Sequence, residues 1–135
     1  MTETEVKHCF LVDDDPDLRR VLRHSLSRAG FNVLECSSLN EVKEALDHTC
    51  PHLIVLDVGL LHSDGGHVLN LLAERRCNGW VQLISGRSEQ ELETLELSGE
   101  DLGIRMLPPM TKPFQAGAVR NMAEMVFSRI EGVTS

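Results

Sequence analysis

Five short apolar runs recur along the chain: "HCFLVD" (8–13), "FNVLEC" (31–36), "HLIVLD" (52–57), "WVQLIS" (80–85) and "GIRMLPPM" (103–110). Their apolar residues are mostly consecutive, the pattern of strands covered on both faces. Between them the apolar spacing lengthens to three and four, which predicts helices. Leu18, Val21, Leu22, Leu26 and Ala29 stripe the first, with Asp15 at the N-cap, Pro16 at the first helical position and Gly30 as the stop. Ser38 and Glu41 form a capping box opening the second, and Ser88 with Glu91 one opening the fourth. Val68, Leu69, Leu71 and Leu72 line the third, which ends near "RRCNG", and Val119, Met122, Ala123, Val126 and Ile130 the last. Pro108 and Pro109 restrict the fifth strand to an edge or a strand end.

Five strands alternating with five helices predict an α/β fold with right-handed crossovers: a doubly wound five-stranded parallel sheet. At 135 residues this is one domain, expected over 7–130, with 1–6 and 131–135 as short tails. A net charge of -8 argues against a nucleic-acid footprint, since phosphate contacts need a clustered excess of Lys and Arg. The opening "MTETEVKH" is polar and no apolar run approaches a membrane span, so no membrane partner and a cytoplasmic location are expected. Cys9, Cys36, Cys50 and Cys77 are scattered without a C-x-x-C pair and read as small buried hydrophobes rather than disulfides.

Doubly wound sheets bind ligands beyond the carboxyl ends of their strands. The groups expected there are Asp13, Asp14 and Asp15 after the first strand, Asp57 at the end of the third, Ser85 at the end of the fourth and Lys112-Pro113 beyond the fifth. Clustered carboxylates repel one another unless a cation sits among them. Hard oxygen donors suit Mg²⁺. A hydroxyl and an ammonium opposite suit phosphoryl oxygens, and together these are the parts of phosphoryl transfer.

In order and placement, "FLVDDDPDLRRVL", "LIVLDVGLLHSDGG", "LIS" and "TKPF" resemble the signatures of the receiver domain of two-component response regulators, over roughly Lys7 to Phe127. The resemblance implies a flavodoxin-like fold in which Asp57 takes a phosphoryl group from a histidine kinase or a histidine phosphotransfer protein. It implies Asp14 as a direct Mg²⁺ ligand, Asp13 acting through water, and the Gly59 carbonyl as a further ligand beside Asp57. Ser85 and Lys112 would hold phosphoryl oxygens, and Lys112-Pro113 would be cis. A surface formed by the fourth helix, fifth strand and fifth helix would switch a downstream protein or output domain, with a homodimer as one possible result. Arg87, two residues past Ser85, stands where side chains of the family modulate phosphoryl loss.

Three departures from the pattern bear on readout. Leu61 replaces a proline usual after the acceptor. Pro109 occupies the place of an inward-swinging aromatic, in a chain without tyrosine, and the stretch from Ser85 to Lys112 is longer than typical. A non-standard readout follows.

Simpler readings hold elsewhere. Asp15 is a helix cap; His48, Cys50 and His52 straddle a Pro-containing turn and read as solvated loop rather than a soft-metal clip, as do His62 and His67; His24 reads as surface. Two competing functions remain: a degenerate receiver acting as a phosphorylation-independent module, and a haloacid-dehalogenase-type phosphatase with Asp13 as nucleophile and Asp15 as general acid. The second lacks an acidic pair after a late apolar strand. No output domain follows within the 135 residues, so the expectation is a receiver working alone or as the first domain of something larger.

Overall fold

A computed structural model describes residues 6–13, 15–58, 65–86, 89–113 and 115–130. The chain runs β1 (His8–Val12), α1 (Pro16–Arg28), β2 (Asn32–Cys36), α2 (Leu39–Leu46), β3 (Leu53–Asp57), α3 (Gly65–Glu74), β4 (Trp80–Ser85), α4 (Glu89–Asp101), β5 (Arg105–Met106), β6 (Met110–Thr111) and α5 (Ala116–Ile130). All pairings are parallel, in the order β2-β1-β3-β4-β5, with β6 also on β4. The expected fold class is borne out.

Strand alternation explains the unbroken apolar runs. Phe10, Val12, Ile54, Leu56, Val81 and Leu83 enter one core beneath α2, α3 and α4. Cys9, Leu11, Leu53, Val55 and Ile84 enter the other beneath α1 and α5. Successive residues point to opposite faces and both faces are covered, so every position must be apolar. Each fully buried Leu, Ile or Val contributes about 1.5–3 kcal/mol. β2, at the edge, alternates instead.

The first helix starts as expected: Asp15 Oδ1 accepts the backbone N–H groups of Asp17 (3.1 Å) and Leu18 (3.4 Å), and Pro16 needs no acceptor. Val21, however, is exposed, because at 100° per residue it falls off the stripe that Leu22 and Leu26 bury. The capping box of the second helix has its return bond shifted by one residue. Ser38 Oγ accepts from Glu41 N–H, but Glu41 Oε1 accepts from Ser37 N–H (2.7 Å) and Ser37 Oγ. Ser88 lies outside the described residues.

The fifth strand divides in two, giving a sixth short strand. Leu107 N–H still donates to Val81 C=O (2.9 Å), but Pro108 and Pro109 have no N–H to continue the ladder. Gln82, fully buried in β4, repairs the gap: its Nε2 donates to Pro108 C=O (2.9 Å) and Leu83 C=O (3.0 Å). Pairing with β4 then resumes at Met110 and Thr111. Gln82→Leu is expected to cost about 1 kcal/mol in urea denaturation and to speed amide exchange at Leu107 and Lys112. Unchanged protection at both would exclude this role for Gln82.

Cys9, Cys36 and Cys77 are buried as expected, and burial pushes all three thiols up, Cys36 to about 11 and Cys77 to about 12. Cys50 is the exception. It is exposed in the loop before Pro51, where no strand or helix draws it inward.

Candidate functional site

The order β2-β1-β3 places the reversal of winding between β1 and β3, so their carboxyl ends diverge into a crevice. β1 leads into Asp13 and β3 ends in Asp57, 0% and 5% exposed respectively. Asp57 Oδ2 accepts a hydrogen bond from Lys112 Nζ at 2.7 Å. Lys112 arrives because its N–H donates to Ser85 C=O (2.8 Å), one step past the Ser85–Thr111 register pair. Its stem packs 3.6 Å from the point a Cβ on Gly86 would occupy, and the Lys112–Pro113 bond is cis. Ser85, fully buried, ends β4 between the two.

Asp13 is the anomalous group. Its Oδ1 accepts Asp15 N–H (2.9 Å), while Oδ2 is buried and meets no hydrogen-bond donor among the described residues, with the Asp57 carboxyl close beside Asp13. Burial, with the Asp57 charge adding to it, pushes the Asp13 carboxyl up to about 6, against the smaller pull of the Asp15 N–H and of Lys112. Among the described residues two carboxylates share the crevice with one ammonium, leaving a negative excess and an orphaned oxygen. That is the environment a hard cation relieves.

Arg19 holds this end of β1 in place. Its Nη1 donates to Asp13 C=O (2.9 Å), while Nε pairs with Glu35 of β2 (2.6 Å), which also binds Arg23 (2.6 Å). Neither Arg19, Glu35 nor Gln82 stood out in the sequence. The one available signal was Gln82 as the lone polar residue inside "WVQLIS".

Asp13, Asp57, Ser85, Lys112 and Pro113 thus share one sheet edge. Asp14, Gly59, Leu61, His62 and Arg87 lie outside the described residues, and among the described ones no three His, Cys, Asp or Glu side chains converge as a metal cluster. Asp15 spends its carboxylate on the helix cap and is exposed. Of the histidines, His24, His48 and His67 are exposed, and His52 is half-buried with Nδ1 accepting His8 N–H (3.0 Å).

A doubly wound parallel sheet carrying an acid pair and a lysine at its switch point is an arrangement able to handle a phosphoryl group. The chain belongs to the response regulator receiver domain family, whose model matches residues 9–124, and so to two-component signal transduction. It is 28% identical over 127 residues to the alkaline phosphatase synthesis transcriptional regulatory protein PhoP of Bacillus subtilis, covering 93% of this chain and 50% of that one. The chain therefore spans about half the length of that relative. A response regulator from Colwellia psychrerythraea shares the fold, with a TM-score of 0.77 at 23% identity, covering 93% and 99% of the two chains. Another, from Burkholderia pseudomallei, was solved with a phosphorylated aspartic acid, calcium ion and citrate; its TM-score is 0.70 at 15% identity, covering 93% and 71%. Among the described residues no helix is long and apolar enough to cross a membrane.

Proposed function

We propose that residues 7–130 form a phosphoacceptor receiver that takes a phosphoryl group from a histidine kinase or histidine phosphotransfer protein onto Asp57 with the help of Mg²⁺. The observation carrying this reading is the orphaned Oδ2 of Asp13 facing the Asp57–Lys112 pair in a buried crevice. Asp57 is the nucleophile: a carboxylate oxygen attacks phosphorus as the bond to the donor histidine nitrogen breaks and the imidazole leaves, while Lys112, 2.7 Å from Oδ2, neutralises charge gathering on the phosphoryl oxygens. Asp14, Asp57 and the Gly59 carbonyl, with Asp13 through water, would hold Mg²⁺, which when bound offsets the charge of the incoming phosphoryl oxygens. Ser85 closes the site by donating its hydroxyl to one of those oxygens, and Arg87 shapes how quickly water removes the group.

The readout departs from the family pattern. Pro109 replaces the mobile aromatic and sits in the interruption between β5 and β6, beside Leu92, Glu93 and Glu96 of α4. The signal therefore passes through displacement of this segment relative to α4 and α5, toward a downstream protein, an output domain or a second copy. The name of PhoP describes a transcriptional regulator. In this reading the receiver works in the cytoplasm, alone or as the first domain of a longer protein. The hydrolase alternative has less support, since Asp15, its general acid, is engaged as an N-cap.

Localisation of the label tests the reading. After treatment with acetyl phosphate and Mg²⁺, reductive trapping and peptide mass spectrometry are expected to find one modified residue, Asp57, and none when EDTA is present. Modification at Asp13 would establish the hydrolase instead, and no modification the degenerate receiver.

A further inference from the structure

We propose that the end of the sheet opposite Asp57 carries a second binding site, in which Arg76, Arg105 and Arg129 receive the phosphates of a small di- or polyphosphorylated molecule. β4 begins at Trp80 and ends at Ser85, so its two ends lie roughly 16 Å apart. At the Trp80 end, the loops entering β3 and β4, the start of β5 and the last turn of α5 border an open pocket of about 410 Å³. Its polar lining is His52, Asn78 and the three arginines, with no Asp or Glu among the described residues that line it.

The arginines are organised rather than scattered. Arg105 is the register partner of Trp80. The guanidinium carbons of Arg105 and Arg129 lie 5.5 and 5.4 Å from the indole centroid, so one ring orients both. Among the described residues neither they nor Arg76 has a carboxylate partner, although acids outnumber Lys and Arg 21 to 13. Arg19, Arg23, Arg75 and Arg120 are each paired; Arg20 and Arg28 have no carboxylate partner among the described residues either, but neither lies over an aromatic ring, as Arg105 and Arg129 do.

Arg76 supplies an independent observation. Helices α1, α3 and α4 all end in the same turn, in which an N–H reaches back five residues: Phe31 to Leu26, Cys77 to Leu72 and Ile104 to Gly99. That turn needs one residue with positive φ, which α1 and α4 fill with Gly30 (φ 113°) and Gly103 (φ 81°). Helix α3 uses Arg76 at φ 55°. A side chain is retained where glycine is the unstrained choice, and it lines the cavity. Nearby, Gly79 lets the two loops close the floor, because a Cβ there would lie 2.2 Å from Pro51 O.

Guanidinium forks match phosphate oxygens two at a time. Three guanidinium groups with no carboxylate partner among the described residues exceed what one carboxylate or monoester needs, which selects a ligand with at least two phosphates. The volume falls within the range of small-molecule sites.

Trp80 is the sole tryptophan, so indole fluorescence reports this cavity alone. The full chain, unphosphorylated and in EDTA, is titrated with sodium pyrophosphate. A saturable change with Kd below about 1 mM is expected, weakened at least about fivefold in Arg105→Gln and Arg129→Gln and unchanged in Arg28→Gln. Arg76→Gly keeps the turn in its preferred residue, so it is expected to lose affinity while melting no lower than wild type. Absence of a saturable response, or wild-type affinity in all three cavity variants, overturns the site. Equal affinity for citrate overturns the phosphate assignment. Sedimentation with phosphatidylglycerol vesicles that the three substitutions abolish would make the site a membrane contact instead. The readout needs neither Asp57 nor Mg²⁺, so its failure leaves the phosphoacceptor reading untouched.

Discussion

Asp57→Asn is expected to take up no phosphoryl group from acetyl phosphate and Mg²⁺, a fall of at least about 10³-fold, the scale on which loss of a nucleophile acts. The substitution is nearly isosteric, and the side chain is held at the end of a strand whose five residues are all buried, so the fold is expected to survive. What disappears is the anionic oxygen that attacks phosphorus and the partner of Lys112 at 2.7 Å. The same change removes the charge that helps raise Asp13. The Asp13 carboxyl is therefore expected to titrate lower in the variant, as followed by carboxyl carbon NMR. Intact-protein mass spectrometry checks the first outcome. Uptake that persists with the label on Asp13 would transfer the nucleophile to the first strand and end the receiver chemistry.

Asp13→Asn is expected to stabilise the metal-free protein by about 2 kcal/mol at pH 8. Asp13 titrates near 6 in the folded chain and lower in the unfolded one. Between those values the folded state binds more protons. Stability is thus full below the unfolded value and lost as pH rises through about 6. Urea denaturation in EDTA from pH 4 to 8 is expected to fall in wild type and to stay flat across that step in the variant. Mg²⁺ is expected to restore wild type at pH 8, because a ligand that binds only the folded state stabilises it by mass action, and to leave Asp13→Asn little changed. A wild-type profile without the step, or equal Mg²⁺ stabilisation of both proteins, would remove the crevice as the cation site.

How much of this the sequence disclosed depended on the range of the interaction. The cap at Asp15 and Pro16 and the stop at Gly30 are set by neighbours a few residues away, and pattern alone located them. Acids at the ends of β1 and β3 were legible because a parallel sheet collects its carboxyl ends by topology. Val21 was misplaced because spacing alone cannot set how wide a stripe the core accepts. Pro108 and Pro109 announced an interruption, but its repair by Gln82 spans 26 positions and carries no local signature. Likewise Arg76, Arg105 and Arg129 are far apart in the chain and meet only once α3, β5 and α5 are packed. The orphaned Asp13 oxygen is a property of burial, which composition does not encode.

The divided edge strand gives the lysine an unusual tether. β5 is joined to its neighbour by two register pairs and β6 by two more, with prolines and one glutamine amide between them. What fastens the stretch leading to Lys112 is therefore its side chains as much as its ladder: Leu107 is buried in the layer beneath α1 and α5, and Met110 packs against that layer. The place of the Lys112 ammonium group is thus set by apolar packing at the sheet margin together with two short pairings.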